Sequence, residues 1–200
     1  MPDYEFTKRF SLHFQKTLWS DLVKGFNSRP VTICEFGVYE GHSTLWWLDN
    51  ACAHPDSRVI AVDPGYAKVA YALMEKNFQL HPQKHKIEHH KFESRQFVST
   101  LEDASVDLLY IDGDHEAMSV AEDGLSGFHK LKVGGVMLFD DYDFEPEERW
   151  VDRFHLFPKP AIDAVMTLLE GRVEVVHKSY QVALRKLMHR SEKPPAADPA

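Results

Sequence analysis

The 200-residue sequence is poor in cysteine, in long apolar runs and in positive charge, and each shortage excludes a class of protein. Two cysteines are too few for a disulfide framework, so we expect a reduced, cytoplasmic protein. No apolar run approaches the ~18 residues of a membrane span, and residues 1–10 lack the apolar core of a signal peptide. Acidic residues outnumber basic ones by 31 to 23, and the net charge of −8 argues against nucleic acid or an anionic membrane as a partner.

The sequence does have the composition of one globular domain, with 44% hydrophobic and 27% charged residues. Between residues 4 and 27, apolar side chains recur at steps of four, from Phe6 to Leu22. This periodicity predicts an amphipathic helix, or two helices, in an N-terminal segment of residues 1–30. Such a helix would pack on the core or cover a substrate pocket.

From residue 31 onward, short apolar runs alternate with amphipathic helices, which predicts an α/β fold with a mostly parallel sheet between layers of helices. The last two runs nearly adjoin, so the last strand is predicted to be antiparallel. The domain is predicted to cover residues 31–190, and the Pro- and Ala-rich residues 191–200 are predicted to be a disordered tail. The predicted strands are 31–37, 58–64, 86–92, 106–113, 136–142, 172–179 and 181–187.

Polar residues, most of them acidic, follow the predicted strands at the edge where ligands bind to such sheets. Glu35 comes just before Gly37 and Gly41, in a turn that lets the backbone approach a ligand before a helix begins. Asp63 follows the second strand, where an acid accepts hydrogen bonds from a ribose, although an Asp-Pro-Gly turn explains it equally well. The turn lacks the third glycine of a dinucleotide fingerprint and the Gly-Lys-Ser/Thr of a phosphate loop.

Asp112, Asp140 and Asp141 end two strongly apolar strands and are expected to converge. Unpaired carboxylates would repel one another, and a divalent cation would relieve that repulsion. A set of oxygen ligands favours magnesium, calcium or manganese, whereas the alternative is three solvated loop acids. His115, three residues after Asp112, suits a general base near neutral pH or else a solvent-facing histidine at a helix start.

The segments CEFGVYEGHST, AVDP and FES, and the stretch from VDLLYIDGDH to FDDY, resemble class I S-adenosylmethionine-dependent methyltransferases. The resemblance covers residues 30–188 and is strongest to small-molecule O-methyltransferases with an IDGDH signature and a metal, whose relatives act on catechols, caffeoyl esters and sugars of natural products. It implies a Rossmann-like methyltransferase sandwich with a seven-stranded sheet, S-adenosylmethionine as cofactor and a divalent metal such as magnesium.

The resemblance also implies roles for individual residues. The metal would lie at Asp112, Asp140 and Asp141. His115 stands where catechol-type relatives carry a lysine base, so His115 or Asp112 would remove the proton. The residues that would line the cofactor are Glu35, Gly37, Gly41, Ser43, Asp63, Glu93, Ser94 and Asp112.

The predicted reaction moves a methyl group to a hydroxyl of a small molecule of the sugar or natural-product type. The alternatives are a metal-independent methyltransferase acting on nitrogen or a macromolecule, and a non-catalytic S-adenosylmethionine-binding module. A nicotinamide dehydrogenase comes last because the glycine spacing is wrong. The long aromatic loop at residues 143–160 is predicted to face the substrate or to form a contact in a homo-oligomer.

Overall fold

The computed structural model describes residues 2–7, 15–144 and 157–188. The strands are β1 (Thr32–Phe36), β2 (Arg58–Val62), β3 (Ile87–His90), β4 (Val106–Ile111), β5 (Leu131–Phe139), β6 (Val173–Lys178) and β7 (Val182–Lys186). The α-helices are α1 (Ser20–Leu22), α2 (His42–Ala51), α3 (Lys68–Leu80), α4 (Ser94–Phe97), α5 (Ala117–Lys130) and α6 (Pro158–Leu168). Among these residues, no helix combines the length and the apolar character that crossing a bilayer requires.

The seven strands form one sheet in the order β3-β2-β1-β4-β5-β7-β6. Strands β1, β2 and β3 pair in parallel, as do β4 and β5, whereas β7 is antiparallel to both β5 and β6. The predicted α/β class, the seven strands and the antiparallel last strand are therefore confirmed. By its internal contacts the chain divides into two units, one ending at Phe97 and one starting at Val98.

The first unit contains β1 to β3, and β1 and β2 are buried along their length apart from their first residues. Cys34 of β1 lies beside Ile60 of β2, and both are buried, as expected for parallel strands covered on both sides. Trp47 of α2 is fully buried and stacks on Trp19 at a ring-centroid distance of 4.3 Å, with Trp46 edge-on at 4.9 Å. Trp19 and Trp47 therefore belong to the hydrophobic core of the first unit, and the half-buried Trp46 borders it.

The second unit contains β4 to β7, and all six residues of β4 are buried. Strand β5 begins at Leu131, five residues before the predicted start at residue 136. Leu131 pairs with Val106, and a register shift after Val106 accommodates Gly134, whose φ is +82°. Gly134 and Gly135 thus lie inside an irregular strand.

The buried side chain of Lys186, in β7, caps the C-terminal end of α5. The Nζ atom of Lys186 donates to the carbonyl oxygens of Phe128 and Leu131, at 2.8 and 2.7 Å. The last carbonyls of a helix have no partner inside the helix, and a cation there also complements the helix dipole. Lys186 therefore has a structural role.

The N-terminal segment differs from its prediction. Residues 2–7 have no helical structure, so the helix predicted from residue 4 is wrong for residues 4–7. The backbone of Glu5 is instead hydrogen-bonded to the side chain of Asn77, which an intrahelical pattern would not allow. A single π-helical turn at Gln15–Trp19 and the short α1 follow. Residues 8–14 lie outside the described part of the chain.

Two further predictions fall largely outside the described residues. Of the predicted substrate loop at 143–160, residues 145–156 are not described, and neither is the predicted tail at 191–200. Helix α6 begins at Pro158, just after the part of the loop that is not described. Proline suits the first turn of a helix, since it lacks an N–H that would have no partner there.

Candidate active site

In the first unit, a glycine loop (Gly37–Gly41) connects β1 to α2. Gly37 and Gly41 have φ values of +85° and +84°, a region in which residues with a Cβ are disfavoured. A Cβ on Gly41 would lie 2.6 Å from Cε1 of Phe78. The backbone conformation therefore favours glycine at both predicted positions. As predicted, the loop leads into the first turn of α2.

Glu35, the residue before the end of β1, is fully buried. Its carboxylate accepts hydrogen bonds from the hydroxyls of Ser43 and Thr44 in α2. Burial raises the pKa of Glu35 to about 7, against the hydrogen bonds, and the charge of Asp63 adds to the rise. The structure therefore brings together two predicted cofactor residues, Glu35 and Ser43, and gives Glu35 a pKa at which a nearby cation would ionise it.

Asp63, which follows β2, supports the glycine loop. Its Oδ2 atom accepts hydrogen bonds from the backbone N–H groups of Val38 and Tyr39, at 2.9 and 3.1 Å. Its Oδ1 atom accepts from the N–H of Gly65 at 2.7 Å. Asp63 thus forms the turn that the alternative interpretation proposed and also joins the β2 edge to the loop, while its contact with a ribose stays a prediction.

Glu93 and Ser94 lie after β3, at the start of α4. The carboxylate of Glu93 accepts a hydrogen bond from the hydroxyl of Tyr66, whose side chain is otherwise largely exposed. The backbone carbonyl of Glu93 accepts from the N–H groups of Gln96 and Phe97, which starts the helix. The predicted cofactor residues Glu93 and Ser94 are therefore bordered by an exposed aromatic ring, Tyr66, that was not predicted to belong to the site.

In the second unit, Asp112 and Asp140 converge on a tyrosine. The hydroxyl of Tyr110 contacts the carboxylates of both, with 3.0 Å to Oδ2 of Asp112. A phenol has one proton and donates to one carboxylate at a time. Burial, followed by the charge of Asp141, raises the pKa of Asp140. A protonated Asp140 can then donate to the tyrosine while the tyrosine donates to Asp112.

Asp141 is oriented towards other partners. Its φ of +59° is rare for a residue other than glycine. Its Oδ2 lies 2.8 Å from Nε2 of His115, and its Oδ1 accepts from the hydroxyl of Tyr180 at 2.6 Å. Burial opposes ionisation, but these two hydrogen bonds outweigh it and lower the pKa of Asp141. His115 and Asp141 thus form a hydrogen-bonded pair, which becomes an ion pair when the histidine is protonated.

The hydrogen bond to Asp141 raises the pKa of His115, against the opposing effect of burial. The histidine side chain is 43% exposed, so its ring can be reached from solvent. The ring of Phe144 lies beside it at a centroid distance of 4.7 Å. His115 is therefore oriented by a carboxylate and bordered by an aromatic ring, while its role as general base stays a prediction.

The three predicted metal ligands do not come together as one set. Asp112 and Asp140 share Tyr110, whereas Asp141 is bonded to His115 and Tyr180. Within residues 2–7, 15–144 and 157–188, no group of three or more His, Cys, Asp or Glu side chains is arranged to hold a metal ion. The donor set as arranged does not fit the predicted divalent metal, and that prediction is not confirmed.

Two tyrosines were missed by the sequence analysis. Tyr110 lies two residues before Asp112 on β4, so strand periodicity could have placed both side chains on one face. Tyr180 lies between β6 and β7, and its carbonyl accepts from the N–H of Tyr142 at 2.8 Å. No local pattern points to Tyr180, because only the pairing of β7 with β5 brings it to Asp141.

Comparison with known proteins gives similarities at the level of sequence and of fold. The protein R132 of Acanthamoeba polyphaga mimivirus, itself uncharacterized, is 28% identical over an alignment of 151 residues that covers 72% of this chain and 64% of that protein. The chain thus spans less than two thirds of that relative.

Two solved structures share the fold at low sequence identity. An O-methyltransferase from Bacillus cereus, determined in complex with SAH, aligns with a TM-score of 0.66 and 17% identity over 90% of this chain and 84% of its own. An rRNA methylase from Streptococcus thermophilus aligns with a TM-score of 0.61 and 13% identity over 92% of this chain and all of its own.

A family profile for a methyltransferase domain matches residues 34–142, which is more than half of the chain. The matched segment starts in β1, includes the glycine loop, Asp63 and the IDGDH segment, and ends at Tyr142 after β5. It contains every residue predicted above to bind the cofactor or to act in catalysis. This chain therefore belongs to the methyltransferase domain family.

Proposed function

We propose that this protein is an S-adenosylmethionine-dependent methyltransferase that transfers the methyl group to a hydroxyl of a small molecule, of the sugar or natural-product type. Membership of the methyltransferase domain family supports the reaction class. The observation that carries the choice of a hydroxyl acceptor is the hydrogen-bonded pair of His115 and Asp141. A neutral hydroxyl is a weak nucleophile, and such a pair removes its proton as the new bond forms.

The residues of the first unit fit a cationic amino-acid nucleoside. The glycine loop lets the backbone approach the ligand, and the first N–H groups of α2 are suited to a carboxylate. Buried Glu35, with its pKa near 7, would ionise beside a positive charge. Glu93 and Ser94 would border the base. When bound, S-adenosylmethionine supplies an electrophilic methyl group on its sulfonium.

The residues of the second unit would handle the proton. If Nε2–H of His115 donates to Asp141, the neutral ring has Nδ1 free of a proton and able to accept one from the acceptor hydroxyl. The carboxylate of Asp141 then stabilises the imidazolium that forms, and Tyr180 keeps that carboxylate in place. A positioned base of this kind contributes about 10²–10⁴-fold to a rate.

The net charge supports a small acceptor. At −8, the chain as a whole repels a phosphate backbone, whereas it attracts the cationic cofactor. The likeness to an rRNA methylase is one of fold at 13% identity. Because the carboxylates described in the second unit, at residues 98–144 and 157–188, do not form a metal-binding group, no step of the proposed mechanism passes through a metal.

The test is transfer of label from S-adenosylmethionine carrying a radioactive methyl group. The acceptors are sugars, phenols and hydroxylated polyketides, with primary amines and an rRNA fragment as competing classes. We expect label on a small-molecule hydroxyl and a loss of at least about 100-fold in kcat for His115→Gln.

The matched control is His54→Gln, because His54 also lies near an aspartate, Asp56, at 3.8 Å, but in the first unit. Its kcat should equal that of the wild type. Label that appears mainly on RNA or on amines, or an undiminished rate in His115→Gln, would overturn the proposal.

A further inference from the structure

The N-terminal residues 2–7, called the strap below, pack against the first unit. The ring of Tyr4 is parallel to that of His81 at a centroid distance of 6.2 Å. The ring of Phe6 meets His42, the first residue of α2, edge-on at 4.9 Å. The first contact places the strap against the end of α3, and the second places it beside the start of α2, which follows the glycine loop.

Asn77 of α3 joins the strap to the glycine loop. Its side chain is fully buried. The Oδ1 atom accepts from the N–H of Glu5, and Nδ2 donates to the carbonyl of Glu5, both at 2.9 Å. Nδ2 also donates to the carbonyl oxygen of Glu40, at 3.1 Å. The side-chain amide of Asn77 thus connects Glu5 of the strap to Glu40 of the glycine loop, two residues that are 35 positions apart in the sequence.

Glu40 makes a second connection through its carboxylate. Although it belongs to the glycine loop, its side chain is directed to the strap and is only 2% exposed. Its Oε2 accepts from the N–H of Thr7 at 2.8 Å, and its Oε1 accepts from the hydroxyl of Thr7. A buried carboxylate needs such donors, because an unpaired one is costly.

The glycine loop is therefore held from two directions. Asp63 binds the N–H groups of Val38 and Tyr39 from the end of β2. Thr7 of the strap binds the carboxylate of Glu40. Tyr39, between them, has a φ of +52°, which is uncommon for a residue other than glycine. A conformation of this kind persists only where its surroundings enforce it.

We infer that the strap is a positioning element for cofactor binding: Thr7, acting through Glu40 and supported by Asn77, keeps the glycine loop in the conformation that binds S-adenosylmethionine. The inference rests on the proposed function for the identity of the ligand. Without the Thr7 contact, the loop spends less time in the competent form, and the apparent Kd rises in inverse proportion to the competent fraction.

The test replaces Thr7 with valine, which keeps the shape and removes the hydroxyl. Calorimetric titration with S-adenosylmethionine should give a Kd roughly tenfold above that of the wild type, the effect of one hydrogen bond to a charged group. Thr7→Ser restores the hydroxyl and should restore the Kd. The matched control is Thr167→Val, which removes an exposed hydroxyl bonded to the carbonyl of Asp163 in the second unit and should leave the Kd unchanged.

A second readout does not depend on the ligand. In the free protein, amide hydrogen exchange of residues 38–41 should be faster in Thr7→Val than in the wild type and in Thr167→Val. If the wild type binds S-adenosylmethionine and Thr7→Val binds it equally well, the inference is wrong. If the wild type does not bind it, the proposed function fails, and unchanged exchange at residues 38–41 then also overturns the strap.

Discussion

Gly41 is the residue of the glycine loop at which the cost of a side chain can be worked out most completely. Its φ is +84°, and a Cβ there would meet Cε1 of Phe78 at 2.6 Å and Cγ of Met74 at 3.4 Å. Phe78 is 6% exposed and packs edge-on against His89, so its ring has little room to move. Gly41→Ala therefore adds a backbone cost and a packing cost.

The two costs can be separated with a matched control. Gly25 has the same φ of +84°, and no atom lies within 4 Å of its added Cβ. The left-handed backbone costs roughly 1–2 kcal/mol in both variants. Overpacking adds about 1–3 kcal/mol in Gly41→Ala alone. For a chain of this size, that difference lowers the Tm of Gly41→Ala by about 2–12 °C relative to Gly25→Ala.

The assay is thermal unfolding followed by circular dichroism, together with the Kd for S-adenosylmethionine. Gly41→Ala should be the less stable variant and should bind the cofactor more weakly, whereas Gly25→Ala should bind it normally. Equal stability losses in the two variants would refute the close approach of the loop to Phe78. A normal Kd in Gly41→Ala would refute the role of the loop in cofactor binding.

Four further predictions concern pH, the helix end and metal. The hydrogen bond to Asp141 raises the pKa of His115, and the unprotonated ring is the active form, so kcat should rise with pH through a value above 6.5. Asp141→Asn should move that rise to lower pH and lower the plateau. An unmoved pH profile would contradict the coupling of His115 to Asp141. The pKa of Glu35 is about 7 in the folded state against an ordinary 4.5, so the folded state binds more protons than the unfolded state between these pH values. The free energy of unfolding should therefore fall by on the order of 3 kcal/mol as the pH rises from 4.5 to 7. Glu35→Gln should flatten this pH dependence, which is measured by urea titrations. Lys186→Met leaves two carbonyl oxygens at the end of α5 without their donor and should reduce the free energy of unfolding by about 2–4 kcal/mol. The control is Lys84→Met, because the exposed ammonium of Lys84 also donates to a carbonyl oxygen; its free energy of unfolding should change by less than about 0.5 kcal/mol. Turnover should be unchanged in excess EDTA, because His115 and Asp141 supply the base without a metal; loss of turnover that magnesium restores would show that Asp112, Asp140 and Asp141 rearrange into a site.

Much of the fold follows from local pattern. Strands such as Val106–Ile111 are continuous apolar runs, and a run of that kind is buried on both faces wherever it stands in a parallel sheet. The residues that follow these runs therefore had to lie at the carboxyl edge. This reasoning placed Glu35, Gly41 and Asp63 around the glycine loop, where the structure has them.

The geometry of the second unit does not follow from local pattern. The direction of the Asp141 side chain depends on a φ of +59°, and its partner Tyr180 arrives through antiparallel pairing 39 residues away. Convergence of strand ends therefore predicted the neighbourhood of the three aspartates, but not which atoms they would bind. The strap escaped prediction for the same reason, since Glu5 and Asn77 are 72 residues apart.

Calorimetric titration of the purified protein with S-adenosylmethionine, with NAD as the control ligand, shows directly whether this chain binds the methyl donor. We expect saturable binding of one S-adenosylmethionine per chain, weakened by Thr7→Val and Gly41→Ala, and no binding of NAD. Absence of S-adenosylmethionine binding to the wild-type protein, or binding of NAD in its place, would contradict the proposed function.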